Sequence, residues 1–152
     1  MKYFGLLILS ILAACKTDLN IQNDQVEKTL LEYGAQNPEK NVTITTDFGK
    51  IELKLYEDTP LHRANFIRTI KSGHYDSPEF YRIVSSFMIQ GGDLDAKKTN
   101  FLVPNEVKAH HFHQSGALAM AHYDENNPQK NSSPTEFYIV KGRKYLSDDL
   151  QD

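Results

Sequence analysis

The chain has 152 residues, a formal net charge of −3, a single cysteine and no tryptophan. That length fits one domain plus accessory segments. The slight acidity, with no Lys/Arg cluster interleaved with aromatic residues, argues against a nucleic-acid surface. The lone cysteine excludes an internal disulfide and a cysteine-rich metal centre.

Residues 1–15 read MKYFGLLILSILAAC. Lys2 gives a short positive start, and residues 4–14 form an apolar run well under the ~20 residues that cross a bilayer, so the segment reads as a signal rather than an anchor helix. It closes on Leu12-Ala13-Ala14-Cys15, which resembles the bacterial lipobox. The resemblance implies a lipid on Cys15, which becomes the new N-terminus. The protein would then be held on a bacterial membrane, facing the periplasm or the cell exterior. Each buried CH₂ of the acyl chains adds ~0.8 kcal/mol to that attachment. Without the resemblance, the same residues make an ordinary secretory signal that happens to hold a cysteine.

Residues 16–40 read as a polar tether. Within it Val26, Leu30 and Tyr33 recur at helical spacing, with Gly34 suited to the C′ position. A short helix and an unstructured spacer are both open readings, because so short a helix is marginal without packing.

The folded domain is expected over residues 41–152. Residues 42–46 form a strand, Asp47-Phe48-Gly49 a turn, and residues 51–56 a half-buried strand that alternates apolar and charged side chains. Thr59 as N-cap and Pro60 at N1 begin a helix. Ala64, Phe66, Ile67 and Ile70 supply its apolar stripe, Gly73 follows its end, and Asn65 and Phe66 read as packing residues.

Residues 80–93, FYRIVSSFMIQGGD, hold two β-prone runs separated by Ser85 and Ser86 and read as an antiparallel hairpin. Arg82 is a permanent cation inside an apolar strand, and the register decides what it meets. A two-residue loop puts it on the face of Ile89. A three-residue loop, 85–87, sets Val84 opposite Met88 and Arg82 opposite Gln90; this register is favoured because the amide then steadies the guanidinium.

Residues 93–116 read as a loop with an extended piece near 101–107. His110, His111 and His113 fit no common zinc spacing and have no acidic or thiolate partner beside them, so they read as part of a polar loop. Residues 116–121 form a short buried strand of small and apolar residues, 121–134 a long polar loop, and 135–140 another strand. Ser147, followed by acidic residues, begins a helix.

Phe80-Tyr81-Arg82 with Phe87-Met88-Ile89-Gln90-Gly91-Gly92-Asp93 resembles the signature of the cyclophilin family of peptidyl-prolyl cis/trans isomerases, with Tyr81 in place of a histidine. Gly116-Ala117-Leu118-Ala119-Met120-Ala121 resembles the family's Gly-x-Leu-x-Met-Ala strand. Thr135-Glu136-Phe137-Tyr138-Ile139 resembles its Ser-Gln-Phe-Phe-Ile strand. The resemblance covers roughly residues 41–146. It implies a mainly β fold: a cyclophilin-like antiparallel β-barrel with a flanking helix, here without the family's two C-terminal strands, its second helix and a last pocket aromatic. The chain is therefore expected to be C-terminally incomplete.

The resemblance also implies a chemistry. Rotation about a peptide C–N bond meets a barrier of ~18–20 kcal/mol. No bond is broken, so no nucleophile, metal or cofactor is needed; the catalyst must favour the twisted amide, whose prolyl nitrogen becomes a better acceptor. Arg82 and Gln90 are the expected catalytic residues, Arg82 as donor to that nitrogen and Gln90 as its support. Phe87, Met88 and Tyr138 are expected to grip the proline ring, and Ala121 and His122 to meet the substrate main chain, His122 standing where the family usually has Asn. Glu136 either pairs with Arg82 and competes with substrate, or is a solvated rim charge. The expected partners are proline-containing polypeptides outside the cytoplasm. The alternative is a proline-peptide-binding or chaperone-like module with little or no turnover.

Overall fold

The alternation around the first turn is realised as an antiparallel pair, β1 (Asn41–Thr46) and β2 (Gly49–Lys54), with Ile44 opposite Ile51 and Thr46 opposite Gly49. These are elements of a computed structural model that describes residues 18–76, 79–93 and 99–142. The signal segment with Cys15, and the helix start expected at Ser147, lie outside the described residues. No helix among the described residues is long and apolar enough to cross a membrane.

The helix begun by Pro60 is α2 (Pro60–Lys71), and its start departs from expectation. Thr59 holds the N-cap position, yet its hydroxyl caps nothing. The Glu106 carboxylate does so from 45 residues away, accepting from the N–H of Leu61 at 3.1 Å and of His62 at 2.9 Å. His62 Nδ1 lies 2.7 Å from the same carboxylate. A carboxylate at the positive end of a helix satisfies orphan N–H donors and the helix dipole together. Burial alone would raise the Glu106 pKa, but the His62 ring and the two N–H groups outweigh it, so the net value falls below the ordinary 4.5. A lowered folded pKa gives stability that is present above the unfolded value and is lost as pH falls through the folded one. Glu106→Gln is therefore expected to cost about 1–2 kcal/mol at neutral pH, in the range of a lost helix cap. The gap to the parent should narrow below the ordinary glutamate value, as urea midpoints taken along a pH series would show.

The tether contains a folded helix, α1 (Val26–Gln36), and this part of it is packed against the domain. Leu19, Ile21, Val26 and Leu30 are buried, and the last three share a cluster with Leu61, Ala64, Phe101 and Val103. Each such side chain contributes roughly 1.5–3 kcal/mol when fully buried, enough to hold a helix that alone would melt. Gly34 is not the C′ residue: it sits inside α1, where a Cβ would stand 3.1 Å from the Ala64 Cβ. The cap is Asn37, whose backbone N–H and side-chain amide both donate to the Tyr33 carbonyl at 2.9 Å.

The remaining strands are β3 (Arg82–Val84), β4 (Met88–Gly92), β5 (Leu118–Met120) and β6 (Glu136–Val140). They form a four-stranded antiparallel sheet in the order β3-β4-β6-β5, so the six described strands lie in two sheets. On one face of β6, Phe137 packs edge-on against Phe66 of α2, Tyr75 and Phe80. Asn65 is fully buried and donates to the Pro134 carbonyl at 2.7 Å, so Asn65 and Phe66 are packing residues as expected. β5 is half-buried rather than buried, because it lines a cavity of about 350 Å³ with β2 and α2.

Candidate active site

The hairpin adopts the three-residue loop. Phe87 N–H donates to the Val84 carbonyl at 3.1 Å, and Ser86 takes φ 60 to turn the corner. Arg82 then faces Gln90, Gln90 faces Tyr138, and Tyr138 faces Ala119. Directly opposed residues share a face, so the register lines up a cation, an amide and a phenol in one row. Met88 is buried on that same face, and Phe87 is 46% exposed at the corner with its ring 6.3 Å from that of Tyr138.

The guanidinium is anchored. Arg82 Nη1 donates to Gln90 Oε1 at 3.1 Å, and Gln90 Nε2 donates to the Tyr81 hydroxyl at 2.8 Å. That hydroxyl donates in turn to Glu136 Oε1 at 2.9 Å, and Tyr123 also donates to this carboxylate. The chain of donors has one consistent direction. Glu136 as a carboxylate only accepts, so Tyr81 must give it a proton and can only accept from the Gln90 amide. The Gln90 carbonyl is thereby left for Arg82. Burial first, and the Glu136 hydrogen bond second, push the Tyr81 hydroxyl well above the usual phenol value, while Gln90 acts in the opposite sense. Burial and Glu136 raise Tyr123 likewise, with the Arg82 charge acting to lower it. Both hydroxyls stay donors at any ordinary pH.

Glu136 therefore fits neither reading made from sequence. It is 3% exposed, so it is no solvated rim charge, and its partners are two phenols rather than Arg82. Its place in β6 opposite Gly92, which carries no side chain, puts it beneath the tyrosines. Tyr81 and Tyr123 are site residues that sequence reasoning missed. The available signal was that two departures from the cyclophilin pattern, Tyr81 and Glu136, occur together.

Tyr138 is held by His113, whose Nε2 lies 2.7 Å from the phenol oxygen with the rings nearly parallel at 9°. Burial raises the Tyr138 pKa. Ala121 is buried and its N–H donates to the Glu136 carbonyl at 2.8 Å, so that group is already used within the sheet. His122 is exposed and pairs with Asp124 at 3.4 Å. The cavity beside β5 reaches Tyr138 and His122 but not Arg82, Gln90, Phe87 or Met88. The expectation that the histidines of 110–113 lack an acidic partner is corrected: the Asp58 carboxylate accepts from both His110 and His111.

A family model described as cyclophilin type peptidyl-prolyl cis-trans isomerase/CLD matches residues 41–150. The chain is 35% identical over 112 residues to the peptidyl-prolyl cis-trans isomerase cyp18 of Streptomyces antibioticus, covering 70% of this chain and 65% of that one. It is 35% identical over 104 residues to peptidyl-prolyl cis-trans isomerase A of Dickeya dadantii, covering 65% of this chain and 53% of that one. It is 38% identical over 105 residues to the peptidyl-prolyl isomerase CWC27 of Yarrowia lipolytica, covering 65% of this chain and 30% of that one. The chain thus spans less than two thirds of the length of each of these relatives. The crystal structure of a cyclophilin-type isomerase from Cryptosporidium parvum superimposes with a TM-score of 0.59 at 25% identity, over 68% of this chain and 67% of that one. A second structure of that protein, obtained in the presence of the dipeptide Ala-Pro, superimposes with a TM-score of 0.58. The anchored arginine hairpin and the two flanking strands thus sit in a domain of known kind: this chain belongs to the cyclophilin-type peptidyl-prolyl cis-trans isomerase family.

Proposed function

We propose that this chain catalyses cis/trans isomerisation of X–Pro bonds in polypeptides outside the cytoplasm. The observation that carries the reading is the Arg82–Gln90 hydrogen bond of 3.1 Å, supported from behind by Tyr81 and Glu136, at the edge of the surface formed by Phe87 and Tyr138. A donor fixed in advance costs no reorganisation when the prolyl nitrogen turns pyramidal, so it binds the twisted amide better than either planar isomer. Phe87 and Tyr138 supply apolar surface for the ring, while Met88, expected there from the sequence, is only 3% exposed and backs that surface from within the sheet. Gln90 holds the fork of Arg82, and it is the residue this reading assigns to the substrate carbonyl. The dipeptide Ala-Pro, present with the Cryptosporidium relative, contains a bond of this X–Pro class. The full chain is expected to accelerate relaxation of a proline-containing test peptide after a solvent jump, in proportion to its concentration. Saturable peptide binding without acceleration would instead support the binding-module reading, which His122 favours because its side chain is engaged with Asp124.

The cellular setting in this proposal rests on residues 1–15. Cys15 would carry the lipid that holds the domain on a membrane, with its clients in the periplasm or at the cell exterior. The expected result is that Cys15→Ala shifts the protein from the detergent-extracted membrane fraction to the soluble one; unchanged partitioning would remove the anchor from the proposal.

A further inference from the structure

Away from Arg82 the structure gathers a second set of chemistry-bearing side chains. Asp58 stands in the bend ahead of α2, while His110 and His111 follow 52 and 53 residues later. A turn closed by the His111 N–H on the Lys108 carbonyl, at 3.0 Å, sets the two imidazoles side by side with ring centroids 4.3 Å apart. Both present Nε2 to the same carboxylate: His110 at 2.8 Å from Oδ2, and His111 at 2.9 Å from Oδ1 and 3.1 Å from Oδ2. The three ligand atoms all lie within 4.8 Å of one another.

We propose that Asp58, His110 and His111 bind a divalent first-row metal ion, Zn²⁺ being the best fit, through one carboxylate oxygen and two Nε2 atoms. Two imidazoles and a carboxylate are a donor set zinc takes when three protein ligands leave a fourth position to water. Calcium and magnesium prefer all-oxygen shells, so nitrogen donors select against them. Bonds of ~2.0–2.1 Å at tetrahedral angles place neighbouring ligand atoms roughly 3.3–3.4 Å apart. The nitrogen–oxygen spacings here, 2.8–3.1 Å, are a few tenths of an ångström shorter, as suits groups now sharing protons. Exchanging those protons for a cation requires the carboxylate to move outward from the two rings by a few tenths of an ångström.

Two features make the cluster ready for an ion. The His111 ring stacks on Tyr56, with centroids 3.8 Å apart and planes 14° off parallel, so its aim is set before binding. Asp58 and His110 are well exposed, which leaves the ion a way in. A bound ion would also tie residues 110–111 to the start of α2, bracing the loop from which His113 holds Tyr138.

Calorimetric titration of the full chain with ZnCl₂ in metal-stripped buffer tests this, with Co²⁺ as a visible probe. The expected result is saturable uptake of one equivalent, and tetrahedral-type cobalt bands without the thiolate charge-transfer band that Cys15 would add. Asp58→Asn, His110→Gln and His111→Gln should each weaken zinc binding by about tenfold or more. Asp124→Asn, in the separate His122–Asp124 pair, should bind as the parent does. His110 is the most exposed of the three, so His110→Gln keeps the fold even if loss of the stacked His111 disturbs it. Absence of saturable zinc binding by the parent, or parent-like affinity in His110→Gln with an unchanged circular dichroism spectrum, overturns the proposal.

Discussion

Arg82→Ala should lower kcat/KM for a proline-containing peptide by roughly ten- to a hundredfold while leaving the urea midpoint nearly where it was. The first number follows from the bond being lost: a charge-assisted hydrogen bond contributes about 1.5–3 kcal/mol, and each 1.4 kcal/mol is a decade in rate. The second follows from exposure. Arg82 lies on the outer strand of its sheet with its charge in water, and a substitution at such a position usually changes stability by no more than about 0.5 kcal/mol. Arg82→Lys sharpens the test. An ammonium keeps the charge but not the planar fork, so it cannot hold the Gln90 carbonyl with one nitrogen and aim another at the substrate in fixed geometry. Its activity should fall between parent and alanine variant. Parent-like turnover in Arg82→Ala would take the guanidinium out of the mechanism and leave the apolar surface to explain any activity.

How much of this site could be read beforehand depends on how far apart in the chain its parts lie. The hairpin was legible because everything that decides it is local: two serines, β-prone runs on either side, and alternation that makes one register useful and the other not. The Arg82–Gln90 contact spans 8 residues. The support beneath it spans 55, from Tyr81 to Glu136, and nothing near either residue announces the other. Taken singly, Tyr81 looked like a lost histidine, and Glu136 like a rim charge or a rival partner for Arg82. Together they form a phenol–carboxylate bond that turns the Gln90 amide the right way. The start of α2 repeats the lesson. Thr59-Pro60 marked where the helix begins, but the carboxylate that caps it is supplied by Glu106, 45 residues beyond the Leu61 N–H it accepts from. In α1 the misreading had another cause: Gly34 looked like punctuation, whereas it is small because Ala64 lies against it.

Gly92→Ala should be among the most damaging single-methyl additions in this domain, costing about 3 kcal/mol or more out of the ~5–15 kcal/mol that a typical domain holds. Two separate terms add here. The residue sits at φ 121, where a side chain is strained by roughly 1–3 kcal/mol. A Cβ there would also stand 2.2 Å from the Thr135 carbonyl oxygen and 2.9 Å from the Glu136 Cα, backbone atoms that cannot swing aside, so β4 and β6 would have to part. Gly49→Ala separates the terms: that glycine has a similar φ of 131 with nothing within 4 Å of its would-be Cβ, so it carries the strain without the collision. The difference between the two urea midpoints then measures how tightly β4 is pressed on β6. That closeness bears on function, because Gly92 pairs with Glu136 and lies two residues beyond Gln90. Forcing the strands apart should loosen the bonds that steady Arg82, and the Gly92 variant should lose turnover at urea concentrations where it is still folded. Equal losses of stability in the two variants would mean that backbone strain explains both, and that the approach of β4 to β6 has slack.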